Sequence, residues 1–525
     1  MTHPFIKNYA YNTQVKAESD LPKSALPKTR VGILGGGAAG ATIAIRLAAL
    51  GIKTTIFEKK TSLIDGPPMC HLHAGGNLYR EIPDQDCIDL LKQCIDILRL
   101  YPYSIDVRPT VFAVPTRDDD SPDDLLPRLD KLTNAYKDLI EQDHNNKVLG
   151  EPDNYYQLYS HEQMITLSKK EQVTEPKTLD EWMIPVAKHL NLNKVKYPLI
   201  VVQEYGWNIF RLSASAQLAL AQYEHANVLT STEVKQVSKV EQSSANNQTL
   251  KWKIKYQSNQ NNQNNQSNTT QTAEVDYLIN ACGFQTGIVD DMVGLKPKRM
   301  VEFKASYIAH WQGAGGQIPE IIIYGNRGTP EGMAQLTPYP NGFYQIHGMT
   351  NSITLFNDGL ADTAEQTAQP QLPAKYLNYI NNGWDQQVLK ARGQKAIDYV
   401  AEFVPAFKNA NTQNNALFGG QQIPGEDDTL RVADVSIYSH ISYARAENVK
   451  ASSTLIAADE IVAEFVKLGL ICTEHDSNNH RKHHQWAYLE NSCNENISKI
   501  AQVLAKERGF PTDMANVNHG LYKSV

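Results

Sequence analysis

The run Val31-Gly32-Ile33-Leu34-Gly35-Gly36-Gly37-Ala38-Ala39-Gly40, followed by Glu58 at the end of the next apolar run, constrains this chain more than anything else in it. The apolar residues before Gly35 read as a buried parallel strand, and Ala41 to Leu50 reads as a helix. Gly35 allows a tight turn, Gly37 allows the backbone to approach a pyrophosphate, and Gly40 allows helix and strand to pack closely. The amides of Ala38, Ala39 and Gly40 then open a helix whose N-terminus favours negative charge. Lys53 to Phe57 forms the second strand, and Glu58 stands where a carboxylate accepts hydrogen bonds from a ribose diol, with Lys59 beside it. Ala44 and Leu47 share one helix face, and Gly51 falls where a helix C-terminus needs a left-handed residue. A dinucleotide is therefore expected on this unit.

The spacing Gly35-x-Gly37-x-x-Gly40-x-x-x-Ala44-x-x-Leu47-x-x-x-Gly51-x-x-x-x-x-x-Glu58 is similar to the FAD-binding fingerprint of flavoproteins with two dinucleotide-binding domains. That resemblance implies FAD as cofactor.

A chain of 525 residues divides into at least two domains, and 41% hydrophobic with 20% charged residues suits a soluble globular protein. A net charge of -7 gives no basis for binding nucleic acid. No apolar stretch reaches membrane-spanning length, and the first thirty residues lack the apolar core of a secretory signal. The six cysteines are scattered without a CxxC pair, which points to reduced thiols and a cytoplasmic location. Peripheral contact with the inner membrane is left open.

Along the chain, residues 1–29 read as an arm and 30–115 as the first part of the FAD-binding domain, with a helix from Asp84 to Leu100. Residues 116–199, with helical patterns, read as an insertion of a substrate domain. Residues 200–295 read as the second FAD-binding part, with a meander of strands at Val228-Leu229, Glu233–Val240, Leu250–Tyr256 and Val275–Asn280. The Asn/Gln tract from Gln257 to Gln271 reads as a hairpin tip, and the likeness to FAD-binding flavoproteins implies that Gly283, after the last of these strands, allows close approach to a flavin. Residues 296–415 return to the substrate domain, with strands at Ala305–Trp311, Ile321–Tyr324 and Phe343–Met349. Residues 416–470 form the third FAD-binding part, closed by a helix from Thr454 to Leu468, and 471–525 form a helical extension. The fold class is α/β: a Rossmann-type FAD-binding domain interleaved with a mixed-sheet α+β substrate domain.

This interleaving resembles the D-amino-acid-oxidase-like FAD-dependent oxidoreductases. Three further stretches carry the resemblance: Cys70-His71-Leu72-His73-Ala74-Gly75-Gly76, Glu204 to Leu212, and Phe418 to Gly425. The resemblance implies that His73, Ala74 and Gly75 lie along the flavin, and that Lys450-Ala451-Ser452 enters the last helix beside it. The family's glycine-rich turn is replaced there, and Lys450 would stabilise a reduced, anionic flavin. His73 is also the candidate for a covalent flavin bond, although Leu72 stands where such relatives carry Trp.

Candidate catalytic groups are His71 and His73 as bases, Arg327 as a carboxylate clamp, and Tyr344, read as sharing a pocket with His347. Arg80, Arg211 and Arg431 compete for the clamp. His475 to His484 reads as a polar linker, and no metal is expected. The chemistry implied is oxidation of a small amine, amino acid or hydroxy acid by hydride transfer, with oxygen or a quinone as acceptor. An NAD(P)H-dependent flavin monooxygenase and a non-catalytic flavin-binding protein are the alternatives. A single GxGxxG favours the substrate itself as electron donor.

Overall fold

The computed structural model describes residues 29–65, 83–244, 247–258, 270–426, 434–447, 450–471 and 492–518. The first apolar run forms strand β1 (Arg30–Leu34), the helix after it is α1 (Ala38–Ala49), and the second strand is β2 (Lys53–Phe57). They sit in a six-stranded sheet ordered Asp434–Tyr438, Tyr443–Glu447, Tyr277–Asn280, β1, β2, Ala226–Leu229. All neighbours run parallel except the Asp434–Tyr438 edge. Val31, Ile33 and Leu34 of β1 are buried, as a central parallel strand covered on both faces requires. The helix Thr454–Lys467 lies against α1, fastened by Arg46 Nε donating to Asp459 Oδ1 at 2.9 Å.

The expected meander is present in part, since Ala226–Leu229 and Tyr277–Asn280, expected as its first and last strands, pair in parallel within the six-stranded sheet. Strands Thr232–Ser244, Asn247–Ser258 and Thr270–Val275 form a three-stranded antiparallel sheet. The Asn/Gln tract joins two of these paired strands, with residues 259–269 outside the described residues. Trp252 anchors the sheet: it is fully buried, and its Nε1 donates to the carbonyl of Ile441 at 3.0 Å.

A nine-stranded mixed sheet makes the second layer, and its long central strand Arg299–His310 pairs with Phe343–Gly348 and Asn411–Pro424. Period-two alternation gives that strand two different faces. Val301, Phe303, Ala305, Tyr307 and Ala309 bury an apolar face in a core shared with helix Gln386–Ala401, with Phe303 stacked on Tyr376 at 4.5 Å. Glu302, Lys304 and Ser306 occupy the other face. The α/β class and the interleaving of a nucleotide-binding unit with a mixed sheet are as expected.

Three expected boundaries shift. Residues 110–113, 200–202 and 416–424, assigned above to the FAD-binding parts, all pair within the nine-stranded sheet. An apolar run of four residues reads the same in either sheet, so pairing rather than pattern decides its place. Among the described residues no helix is long and apolar enough to cross a membrane.

Candidate functional site

The glycines of the first turn separate into distinct roles. Gly35 has φ +93°, and a Cβ there would lie 2.4 Å from the carbonyl oxygen of Ala281. A Cβ on Gly40 would lie 2.0 Å from the Gly35 carbonyl oxygen, so helix and turn touch backbone to backbone. Gly37 is different, because among the described residues a Cβ there meets nothing within 4 Å. It is also the N-cap of α1, which has no side-chain cap and no acidic residue in its first turn. The first amides of α1 thus have neither a side-chain cap nor an acidic neighbour in their own turn, an arrangement suited to a phosphate.

Glu58 follows β2 and is buried. Its Oε2 accepts from the Gly36 amide at 2.6 Å and its Oε1 from the Lys60 amide at 2.7 Å. Burial raises its pKa above the usual carboxyl value despite both bonds, since desolvation is the larger effect. A carboxylate has about four acceptor positions, so two fixed amides leave capacity for the two hydroxyls of a ribose. Lys59 donates to Gln285 Oε1, joining the end of β2 to the turn Gly283–Gln285, where Gly283 has φ +58°. Burial lowers the pKa of that lysine. These residues fit the adenosine and pyrophosphate parts of a dinucleotide.

Lys450, Ala451 and Ser452 lead into the helix Thr454–Lys467 through a short turn, closed by Ser453 Oγ on the Lys450 carbonyl at 2.7 Å. The turn lies beside helix α2 (Asp84–Leu100) and brings Thr454 within 3.4 Å of Thr42 on α1. The stretch Phe418–Gly425 reaches the Gly283 turn, since a Cβ on Gly420 would lie 2.7 Å from Phe284 Cγ. Asn208, in the Glu204–Leu212 stretch, caps the helix Ile209–Ala221 by accepting from the amides of Phe210 and Arg211.

The second half of the site is the polar face of the nine-stranded sheet. Strand register puts Glu302, Lys304, Ser306, Gln345, His347, Gln335, Glu320 and Gln421 on one side. Lys304 Nζ lies 2.9 Å from Glu302 Oε2 and donates to Gln421 Oε1 at 2.6 Å. Gln345 Nε2 donates to Ser306 Oγ at 3.0 Å, and Gln335 donates to Glu320, which also accepts from buried Arg108. Phe112 and Ile322, on the same face, share a core with Ala44 and Leu91 of the nucleotide-binding unit. The sheet face that carries the patch therefore packs, at Phe112 and Ile322, against the nucleotide-binding unit.

Arg327 is brought to this patch, with its Nη2 donating to Glu302. Tyr344 is not. It is 2% exposed and packs on Trp311 and Phe407 in the apolar core, where burial raises its hydroxyl pKa. The shared pocket expected for Tyr344 and His347 is thus corrected: residues three apart on a strand point to opposite faces. Arg211 is occupied inside the fold by the Tyr103 carbonyl and Asn494. His71, His73, Ala74, Gly75, Arg80, Arg431 and the histidines from His475 to His484 lie outside the described residues. Among the described residues no group of His, Cys, Asp and Glu could hold a metal.

The family model described as FAD dependent oxidoreductase matches residues 30–416, from β1 into the last long strand of the nine-stranded sheet. The chain belongs to this family. It is an FAD-dependent oxidoreductase. Among solved structures it is similar to L-amino acid deaminase from Proteus myxofaciens in complex with anthranilate, with 13% identity and a TM-score of 0.50 over 87% of this chain and 93% of that one. It is also similar to L-proline dehydrogenase from P. horikoshii, with 17% identity and a TM-score of 0.49 over 85% and 94%. Glycine oxidase from Geobacillus kaustophilus gives 15% identity and a TM-score of 0.48 over 84% and 95%. At 13% identity the likeness to the deaminase shows the fold alone. No curated protein matches the chain.

Sequence reasoning missed Lys304, Glu302, Gln345, Gln335 and Gln421 of this oxidoreductase. A signal was available: Glu302, Lys304 and Ser306 recur at every second position of an otherwise apolar run.

Proposed function

We propose that this FAD-dependent oxidoreductase oxidises a small amino or hydroxy carboxylate at the carbon bearing the nitrogen or oxygen. The observation that carries the reading is the polar patch, where Lys304 and Arg327 stand beside Glu302 with Ser306, Gln345 and Gln421 around them. Bound FAD supplies the hydride acceptor. Residues of the cradle hold it: the first amides of α1 take the pyrophosphate and Glu58 takes the ribose.

The sheet residues orient the substrate. The cations Lys304 Nζ and Arg327 Nη bind its carboxylate, and Glu302 keeps both side chains extended toward the patch. Ser306 Oγ and the Gln345 amide, bonded to each other at 3.0 Å, would fix the amine or hydroxyl, while Gln421 steadies Lys304. His347 shares this face, and its imidazole would take the amine or hydroxyl proton released as the carbon is oxidised, a role that falls alternatively to His71 or His73. Oxygen or a quinone then serves as acceptor, in keeping with a single dinucleotide fingerprint.

Steady-state kinetics of Lys304→Met and Tyr344→Phe on one oxidised substrate test the reading. Lys304→Met is expected to raise KM about tenfold or more, the loss of one charge-assisted bond of about 1.5–3 kcal/mol. Tyr344→Phe is expected to leave kcat and KM unchanged. Equal effects from both variants would contradict the assignment of the polar face.

A further inference from the structure

Beyond residue 416, where the family match ends, the chain adds a helix, Asn494–Glu507, that lies along Ile209–Ala221. Ile497, Ile500, Ala501 and Leu504 bury one face of it against Phe210, Ala214, Ile308 and Leu417. The residue immediately after this helix is Arg508. Its side chain is 10% exposed and its guanidinium reaches residues 62–65, more than 440 positions earlier in the chain.

Both terminal nitrogens of that guanidinium donate hydrogen bonds, and its Nε is ion-paired. Nη1 donates to the Ile64 carbonyl at 3.1 Å, and Nη2 lies 3.1 Å from the Leu63 carbonyl, 2.9 Å from Ser62 Oγ and 3.1 Å from Ser213 Oγ. Nε lies 3.1 Å from Asp65 Oδ1. These contacts surround Ile64, which has φ +53°, a left-handed conformation that a β-branched residue adopts only when its surroundings impose it.

The held loop in turn touches the cradle. The Ile64 amide donates to the Gly36 carbonyl at 2.8 Å, and the Gly36 amide is the one that Glu58 accepts at 2.6 Å. Leu63 Cδ2 fills the space beside Gly36, 2.5 Å from where a Cβ would stand. A continuous path of bonds therefore runs from Arg508 through Ile64 and Gly36 to Glu58.

We propose that Arg508 is a positioning residue for FAD: its guanidinium holds the 62–65 loop in the shape that presents Gly36 and Glu58 to the dinucleotide, making the C-terminal helix part of the cofactor site. Arginine suits the task because one planar fork serves two carbonyls, two hydroxyls and a carboxylate at once, which a lysine cannot do. Linkage makes the effect reciprocal, so FAD binding also fastens the helix.

The test is an FAD titration of full-length apoprotein, read by flavin fluorescence, with amide hydrogen exchange on the same samples. Arg508→Met is expected to raise the FAD Kd at least tenfold, and Arg508→Lys several-fold. In the wild-type protein FAD should slow exchange at Ile64 and across 494–507, and in Arg508→Met saturating FAD should no longer protect 494–507. The double variant Ser62→Ala/Asp65→Asn keeps Arg508 and its helix packing, and is expected to raise Kd several-fold, so it carries the test where Arg508→Met does not fold. A Kd within twofold of wild type in the variants that fold, or equal protection of 494–507 with and without FAD in the wild type, would overturn the proposal.

Discussion

Gly40 and Gly35 meet so closely that a methyl group on the first would stand 2.0 Å from the carbonyl oxygen of the second. Gly37, between them in sequence, has room for a Cβ among the described residues. The three glycines of one fingerprint therefore answer to different forces, two to the fold and one to the ligand. Gly40→Ala should destabilise the apoprotein by about 1–3 kcal/mol, the usual consequence of overpacking. Gly37→Ala should leave the apoprotein melting temperature unchanged and weaken FAD at least about tenfold, about 1.4 kcal/mol. Thermal melts of apoprotein beside flavin titrations check both.

If Glu58 takes the ribose as proposed, FAD binding should depend on pH. Burial places its folded-state pKa above the usual carboxyl value of 4.5. The ionised form accepts ribose hydroxyls, so affinity should be full above the raised pKa and fall as pH drops through it. Stability of the apoprotein moves the other way. A folded pKa above the unfolded one means that the folded state gains protons first, so apoprotein stability falls as pH rises from 4.5 through the raised value. Glu58→Gln should remove both dependences, as read from FAD Kd and urea midpoints between pH 4 and pH 8.

The two sheets are tied by a buried four-charge cluster. Arg299 pairs with Asp290 and lies 3.1 Å from Glu447 Oε1, while Arg445 lies 3.1 Å from Asp290 and 2.8 Å from Glu447. Arg299 opens the long strand of the nine-stranded sheet, whereas Glu447 and Arg445 sit on a strand of the nucleotide-binding sheet. Arg299→Met leaves two buried carboxylates sharing one of their two cations and should cost about 3–5 kcal/mol in urea unfolding.

Legibility followed the distance over which the information is stored. The cradle was readable because all its parts lie within Gly35–Glu58, each with a local reason to be there. The helices Asp84–Leu100 and Thr454–Lys467 were readable from periodicity alone. The polar face was not, because Gln345 meets Ser306, and Gln421 meets Glu302 and Lys304, only through pairing between strands far apart in sequence. Tyr344 was misjudged because a single strand's parity decides which layer a residue joins, and that parity separates it from His347. Arg508 joins the loop at Asp65 through a contact that no local pattern announces.

This chain is an FAD-dependent oxidoreductase, and the proposed electron donor is a small carboxylate-bearing amine or alcohol. Anaerobic absorbance titration of the yellow protein with amino acids, N-methyl amino acids, 2-hydroxy acids, simple amines and NAD(P)H tests it most directly. The account predicts that one class of amino or hydroxy carboxylate bleaches the flavin while its decarboxylated counterpart and NAD(P)H do not. Bleaching by NAD(P)H alone, or by the decarboxylated amine as readily as by the acid, would contradict it.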